Sequence, residues 1–486
     1  MPFILGASSA SDTVHQINQS IRFNDSDSPI LKKTLAAGTD ETFTFSCWVK
    51  RGKIGSGLGG AGNYGLTLFS GGSDTSNYGE IRFESSGFGT QDSLFFYNLT
   101  SGSINYKLAT TQLFRDTSAW YHIVCVMDTT NASETERMRI YVNGLRVTDF
   151  SAISYPGQND PTNFNTATEH GVGGFAVGTD TRFFDGYLAE IVFLDGTATT
   201  CNSFGEFNSS GIWVPKDVSG LTFGTNGFHI DGRDATDLGD DEAGSNDFAA
   251  SGLAEHDQVS DSPTNNFPTL NPLNKYGSNV SLSDGNLTST VSSSSNHRGA
   301  KATQAVASGK WYFEVYFSAS NADNNGAVAI SESSEYNDVP GETSDPTGFR
   351  YGSAGNFKQN NVASSVITTI AAKDIVMVAL DMDNDKAWIG INGAFVSSGD
   401  PASGSNAITT TVPDLAFPVS YHYSTTATEI FNFGQDSTFS GLYTQSNSYV
   451  ADSNNYVGAS DGNGVGSFFY TPPTGYLAIC TKNLGS

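Results

Sequence analysis

The sequence predicts an all-β protein built from two antiparallel β-sandwiches, and three observations lead there. Short runs rich in Val, Ile, Phe, Tyr and Thr recur along the chain between clusters of Gly, Asn, Asp and Ser, while helical periodicity is almost absent. A stretch dominated by Asp, Gly, Ser and Asn at about 231–265 interrupts the strand-like runs and sets a boundary within 215–275. The chain also parallels itself: WYHIVCVMD (120–128) and RIYVNGLRV (139–147) in the first half are answered by DIVMVALDM (374–382) and WIGINGAFV (388–396) in the second. Each half reads as a strand, an acidic turn, a second strand and an Asn-Gly hairpin. Asn143-Gly144 and Asn392-Gly393 suit type I′ turns, whose two central residues both need positive φ.

Taken in order, the elements support this division. FTFSCWVK (43–50) puts Phe43, Phe45, Cys47 and Val49 on one face of a strand and Thr44, Ser46, Trp48 and Lys50 on the other. FFDGYLAEIVF (183–193) closes the first half; GKWYFEVYF (309–317), KAWIGING (386–393) and TEIFNFG (428–434) build the second. Trp48, Trp120, Trp311 and Trp388 fall in strand patterns and read as core. The expected organisation is an N-terminal docking arm at 1–19, a first sandwich at 20–215, an acidic linker at 216–275 and a second sandwich with a C-terminal extension at 276–486.

Charge and composition narrow the function. With 24 basic against 50 acidic residues the net charge is −26, which argues against nucleic acid or an anionic membrane surface as partner. No stretch reaches the ~20 consecutive apolar residues of a membrane span. The start, MPFILGASSA, lacks a basic region, so no cleaved signal peptide is expected; its apolar Phe3, Ile4 and Leu5, with no charge before Asp12, suit a segment that docks on another chain. Cys47, Cys125, Cys201 and Cys480 are too scattered for a disulfide framework and form no CxxC pair, so they read as reduced core thiols of a protein folded in a reducing compartment.

Chemistry-bearing patterns are few. Glycoside hydrolysis needs two carboxylates flanking the scissile bond, and the nearest match is Asp381, Asp383 and Asp385 in DMDNDKAWIG. These are short side chains at a turn before Trp388, and as an EF-hand the segment fails, with Lys386 at position six and Asn392 at position twelve. The better metal candidate is the Gly-punctuated loop HIDGRDATDLGDDEAGSND (229–247). There Asp231, Asp234, Asp237, Asp240 and Asp241 offer hard oxygen ligands for calcium, beside Glu242 and Asp247, with Arg233 the sole cation. None of the seven His lies in a nucleophile motif, His170 and His297 read as loop residues, and no catalytic residue is assigned. For stacking on sugar rings the candidates are Tyr64, Tyr78, Tyr97 and Tyr155 in the first half and Tyr336, Tyr351, Tyr421 and Tyr423 in the second.

Several segments carry a resemblance. SIRFND (20–25), FTFSCWVK, AWYHIVCVMD (119–128), RIYVNG (139–144) and above all FFDGYLAEIVFLDG (183–196) resemble laminin-G-like, concanavalin A-like jelly rolls. GKWYFEV (309–315), GFRYGSAG (348–355), LDMDND (380–385), WIGINGAF (388–395) and FPVSYHYSTTATEIFNFGQ (417–435) resemble a SPRY domain, in which the resemblance implies a partner surface formed by end loops, here 318–360 and 397–428. The pairing, with DSPTNNFPTLNPLN (261–274) and TPPTGYLAICTKNL (471–484), resembles structural proteins of marine tailed bacteriophages. That resemblance implies a non-enzymatic virion protein made in the bacterial cytoplasm and homo-oligomeric in the particle. Such a protein would be a surface adhesin or tail-fibre-like component that binds a host-surface glycan or receptor and contacts other virion proteins through its N-terminal arm. A capsid decoration or cement protein and a concanavalin A-like glycoside hydrolase are the alternatives. No cofactor is called for apart from calcium at the acidic loop.

Overall fold

The computed structural model describes residues 15–59, 64–85, 89–178, 182–277, 279–292, 297–318, 326–332, 339–423, 427–443 and 458–484. The arm expected at 1–19 lies outside these up to residue 14. Two compact units separate between Thr264 and Asn265.

The first unit is a sandwich of two antiparallel sheets. One runs Leu145–Arg146, Met138–Val142, Tyr121–Asp128, Thr42–Arg51, Gly186–Asp195, Ser20–Phe23 and Gln258–Val259, with Phe228–Ile230 also paired to Gly186–Asp195. The other runs Phe150–Ser154, Ser103–Leu113, Ser93–Thr100, Asn77–Glu84, Gly65–Asp74, Glu169–Val172, Ile30–Thr34 and Ala249–Ser251. Alternation places Phe43, Phe45, Cys47 and Val49 in the core between the sheets, where Phe45 stacks on Phe69 at 4.9 Å. The opposite face of that strand is buried too. Trp48, Val124, Tyr187 and Val192 pack under Cys201, Phe204, Trp213, Val218 and Val259. Lys50, wholly buried, pairs with Asp261 at 2.7 Å, and Trp120 Nε1 donates to the same carboxylate at 3.1 Å.

The expected acidic linker at 216–275 is therefore corrected: residues 216–264 belong to the first unit and add strands to both of its sheets. The physical reason lies on the outward face of Thr42–Arg51, where an aromatic ring and a lysine must be covered and neutralised. Residues from Leu270 onward already form the first strand of the second unit, Leu270–Tyr276, ahead of the expected start at 276.

The second unit repeats the plan. One sheet runs Ala394–Phe395, Lys386–Ile391, Ile375–Asp381, Lys310–Phe317, Ala427–Asn432, Thr288–Val291 and Val280–Ser283, and Leu477–Ala478 joins Lys310–Phe317 in parallel. The facing sheet runs Leu270–Tyr276, Arg298–Ala302, Phe417–His422, Gly326–Ser331, Phe349–Gly352, Phe357–Gln359 and Val362–Ala363. The C-terminal extension completes the core, with Phe468, Tyr476, Ile479 and Cys480 packed into it.

Both Asn-Gly hairpins take the expected conformation, with φ of 47° and 82° at Asn143-Gly144 and 49° and 86° at Asn392-Gly393. Each Asn side chain also accepts from the start of the strand paired with the one it follows: His122 N at 2.7 Å and Ile375 N at 2.9 Å. The four cysteines are free and buried, and burial pushes their thiols up in pKa, away from reactive thiolate.

Candidate functional site

The acidic loop does not gather its five aspartates. Asp241 spends its carboxylate on the backbone N–H groups of His229, Ala243 and Asn246, at 2.8, 3.0 and 2.9 Å. Asp234 accepts from Thr236, and Asp237 from Gly239 N, as turn-forming aspartates do. Asp240 stays partly exposed; its burial and the like charges around it raise its pKa. Among the described residues no three of Asp231, Asp234, Asp237, Asp240 and Asp241 converge, and the calcium set read from the sequence is corrected on that ground. Asp231 instead meets two residues from outside the loop's acidic run, Glu190 and His229, with one ligand atom from each lying within 4.8 Å of the others.

A β-bulge brings Glu190 there. Ala189 pairs with Trp48 and Val192 with Ser46, so Glu190 and Ile191 together oppose Cys47, and Glu190 takes φ 48°. The bulge falls where strand Gly186–Asp195 exchanges one neighbour, Ser20–Phe23, for another, Phe228–Ile230. His229 Nε2 lies 3.0 Å from Glu190 Oε2. Burial would lower the imidazole pKa, but the hydrogen bond and charge of Glu190, with Asp231 and Glu242, raise it.

At Asp381, Asp383 and Asp385 the structure forms the expected turn, with one difference. Asp381 is buried and paired with Lys310 at 3.0 Å, while Asp383 accepts from Gly309 N and Asp385 turns the chain at φ 56°. A pair of alternating acids that the sequence reading passed over, Glu80 and Glu84 in GEIRFE, lies on one face of Asn77–Glu84 with Arg82 between them. Glu80 accepts from Arg82 at 2.9 Å, Arg182 at 2.7 Å, and the Tyr97 and Thr67 hydroxyls at 2.5 Å each. Burial pushes its pKa up, but the two guanidiniums and two hydroxyls outweigh it and hold the carboxyl at about 2. Such a carboxylate is ionised and fully engaged at neutral pH, with no proton to give a leaving group.

His122, His170 and His422 are structural. His122 lies between Ser46 Oγ at 2.9 Å and Trp213 Nε1 at 3.0 Å, and burial lowers its pKa to about 3. His170, expected in a loop, sits instead in strand Glu169–Val172, fully buried, accepting from Asn165 N, because Phe69 and the loop at Asn165 close over it. His422 faces Ser289 at 3.1 Å and Glu429 at 3.6 Å through the same Nε2, so no nucleophile-base-carboxylate relay forms.

Of the aromatic candidates, Tyr78, Tyr97, Tyr351 and Tyr421 are buried, Tyr64 and Tyr155 are half-buried, and Tyr336 lies outside the described residues. Tyr423 is 42% exposed. Its ring lies 5.0 Å from His297, which hydrogen-bonds through Nδ1 to the Tyr421 hydroxyl; Arg350 stands 4.7 Å over the Tyr421 ring. Glu342 ties Arg350 and Lys358 together at 2.6 and 2.8 Å. The result is an exposed Tyr423 ring against an imidazole, with Arg350 over the neighbouring Tyr421 ring.

Residues 23–201 match the family model described as the concanavalin A-like lectin/glucanases superfamily, of laminin G type. No curated protein matches. Among solved structures, the SPRY domain of human HERC1 is 16% identical over 33% of this chain and 96% of its own, with a TM-score of 0.27. A putative carbohydrate binding protein from Bacteroides ovatus is 16% identical over 49% of this chain and 58% of its own, at a TM-score of 0.31. Domains LG4-5 of the mouse laminin alpha1 chain are 10% identical over 87% of this chain and 91% of their own, at 0.29. The first unit thus carries a laminin-G-type, concanavalin A-like domain.

Proposed function

We propose that the chain is a non-enzymatic adhesin that binds a glycan or receptor on a bacterial surface, carried on a tailed-bacteriophage particle. The observation that carries the binding reading is the Tyr423 surface. A ring left 42% exposed and tilted 45° against His297, next to the Tyr421 ring that carries Arg350 and its partner Glu342, offers a sugar an apolar face with charged hydrogen-bonding groups nearby. Tyr423, Arg350 and Glu342 lie within the end segments, 318–360 and 397–428, that the SPRY resemblance marks for partner binding. The laminin-G-type match of residues 23–201 is compatible with the same role. Support for the virion setting comes from the pairing of the two modules with the joining segment 261–274 and the closing segment 471–484. Against hydrolysis stands the saturated Glu80, whose carboxylate has its acceptor capacity filled by four donors.

The test is direct binding of purified protein to host cells and their surface polysaccharide, with an assay for released reducing ends. Wild type should bind without releasing sugar, and Tyr423→Ala should weaken binding at least about tenfold while the fold survives, as loss of an aromatic stacking partner does. Sugar release, or unchanged binding by Tyr423→Ala, would sink the reading.

A further inference from the structure

Binding at Tyr423 makes no use of the Glu190, His229 and Asp231 cluster, which lies in the first unit. We propose that this cluster is a site for a divalent transition-metal ion of the zinc class, held by the carboxylates of Glu190 and Asp231 and by the His229 imidazole.

The geometry is that of a ligand set. Glu190, His229 and Asp231 are 9%, 9% and 4% exposed, and one donor atom from each lies within 4.8 Å of the others. Bonds of about 2.0–2.1 Å to a tetrahedral ion set ligand atoms roughly 3.3 Å apart; His229 Nε2 and Glu190 Oε2 already stand 3.0 Å apart. Pairing with strand Gly186–Asp195 places His229 opposite Val192, two residues beyond the bulge that supplies Glu190. His229 N is tied to Asp241 and its ring lies parallel to Phe223, so the imidazole is held on two sides.

A second observation points to a cation. Asp231 Oδ2 is buried and accepts no hydrogen bond; only the Arg233 guanidinium stands against it, 2.6 Å away, on a side chain that is 53% exposed. The buried Asp231 carboxylate thus faces a cation that solvent can take back, and an entering ion would replace Arg233 at Asp231. Glu242, 3.8 Å from Arg233, stands at the open side where a further ligand or water would complete the shell. The chemistry of the set selects the ion. Calcium takes six to eight oxygen ligands, whereas here one donor is an imidazole nitrogen and the neighbouring Asp234, Asp237 and Asp241 are engaged by the loop itself.

The experiment uses the full chain stripped with EDTA and titrated with Zn²⁺, and separately with Ca²⁺, by calorimetry and thermal melting. One Zn²⁺ per chain should bind and raise the Tm, Co²⁺ should give the visible absorption of a mixed nitrogen and oxygen site, and Ca²⁺ should not compete. His229→Gln and Glu190→Gln should each weaken Zn²⁺ at least about tenfold, since a direct ligand matters at least as much as a supporting group. Arg233→Ala should bind Zn²⁺ more tightly. Should a ligand variant fail to fold, the Co²⁺ spectrum of the wild type still decides. Absence of saturable 1:1 Zn²⁺ binding, full binding by a folded His229→Gln, or Ca²⁺ displacing Zn²⁺ would each overturn the proposal. Attachment to host polysaccharide by the EDTA-treated protein reports on the Tyr423 reading alone, so the two can fail separately.

Discussion

Lys50 and Glu314 occupy corresponding places: each is a wholly buried ionisable group on the outward face of the strand that lies third in from the Asn-Gly hairpin strand of its sheet. Each fastens the C-terminal tail of its own unit. Lys50 does so with an opposite charge, Asp261. Among the described residues Glu314 has no cation; it accepts from Phe469 N, Tyr470 N, the Tyr312 hydroxyl and Asn432 at 2.8, 2.7, 2.9 and 3.2 Å. One topology therefore closes its outer face in two electrostatic ways. The ion pair is self-neutralising, whereas the carboxyl held by neutral donors is pushed by burial to a pKa of about 7 despite those bonds. Equivalent folds do not imply equivalent responses to solvent.

The largest expected effect breaks the Lys50 clamp. Asp261→Ala leaves a lysine buried without its counter-charge and should destabilise the first unit by about 3–5 kcal/mol. The paired change Lys50→Met with Asp261→Leu should recover most of this, because no unpaired charge remains. Denaturant unfolding checks both; a single variant as stable as wild type would mean that the tail is held by its apolar contacts.

Next comes pH, where the units should diverge. In the second unit the folded carboxyl of Glu314 has its pKa raised from 4.5 to about 7, so the fold binds an extra proton across that window. Stability should fall as pH rises through it, by about 3 kcal/mol above pH 7. Burial raises Glu429 in the same direction. In the first unit Glu80 is depressed from 4.5 to about 2, so its contribution is present above pH 4.5 and lost as pH falls towards 2. Calorimetry across pH 3–8 should resolve two transitions that shift in opposite directions, and Glu314→Gln should flatten the neutral-pH slope of one of them. Parallel shifts would contradict the comparison.

The smallest effect sharpens it. Asn143→Ala and Asn392→Ala each give up asparagine's tolerance of a positive-φ turn position and remove one side-chain bond to the paired strand, so each should cost about 1 kcal/mol. Equal losses would support equivalent hairpins; a neutral result at one site would separate them.

Much of the fold was legible because local rules act on neighbouring residues. Phe43, Phe45, Cys47 and Val49 alternate into the core as the two-residue period of a strand requires, and Asn-Gly specifies its turn within two positions. The misreadings involve distant partners. Residues 216–264 look like linker by composition, and only their packing under Trp48 and beside Lys50 makes them a layer. GEIRFE displays its alternating acids openly, but the Arg182 that disarms Glu80 lies 102 positions away. The Glu190 bulge leaves no local mark, and His229 is 39 positions from it. Among the sugar-binding candidates, sequence could name tyrosines but not tell the exposed Tyr423 from the buried Tyr421 two positions earlier.

The meeting of Ile17 with Thr264 bears on how the first unit carries load. Ile17 O accepts from the Ser262 and Thr264 hydroxyls at 2.6 Å each, and Ser20 and Ile21 pair antiparallel with Val259 and Gln258. The two ends leave this ladder on the same side. A pull applied between them strains one bond at a time, as a zipper opens, rather than shearing a row of bonds together. Under tension the first unit should therefore yield at its own seam, beginning with the tail that Asp261 clamps, while the sheets behind it stay closed.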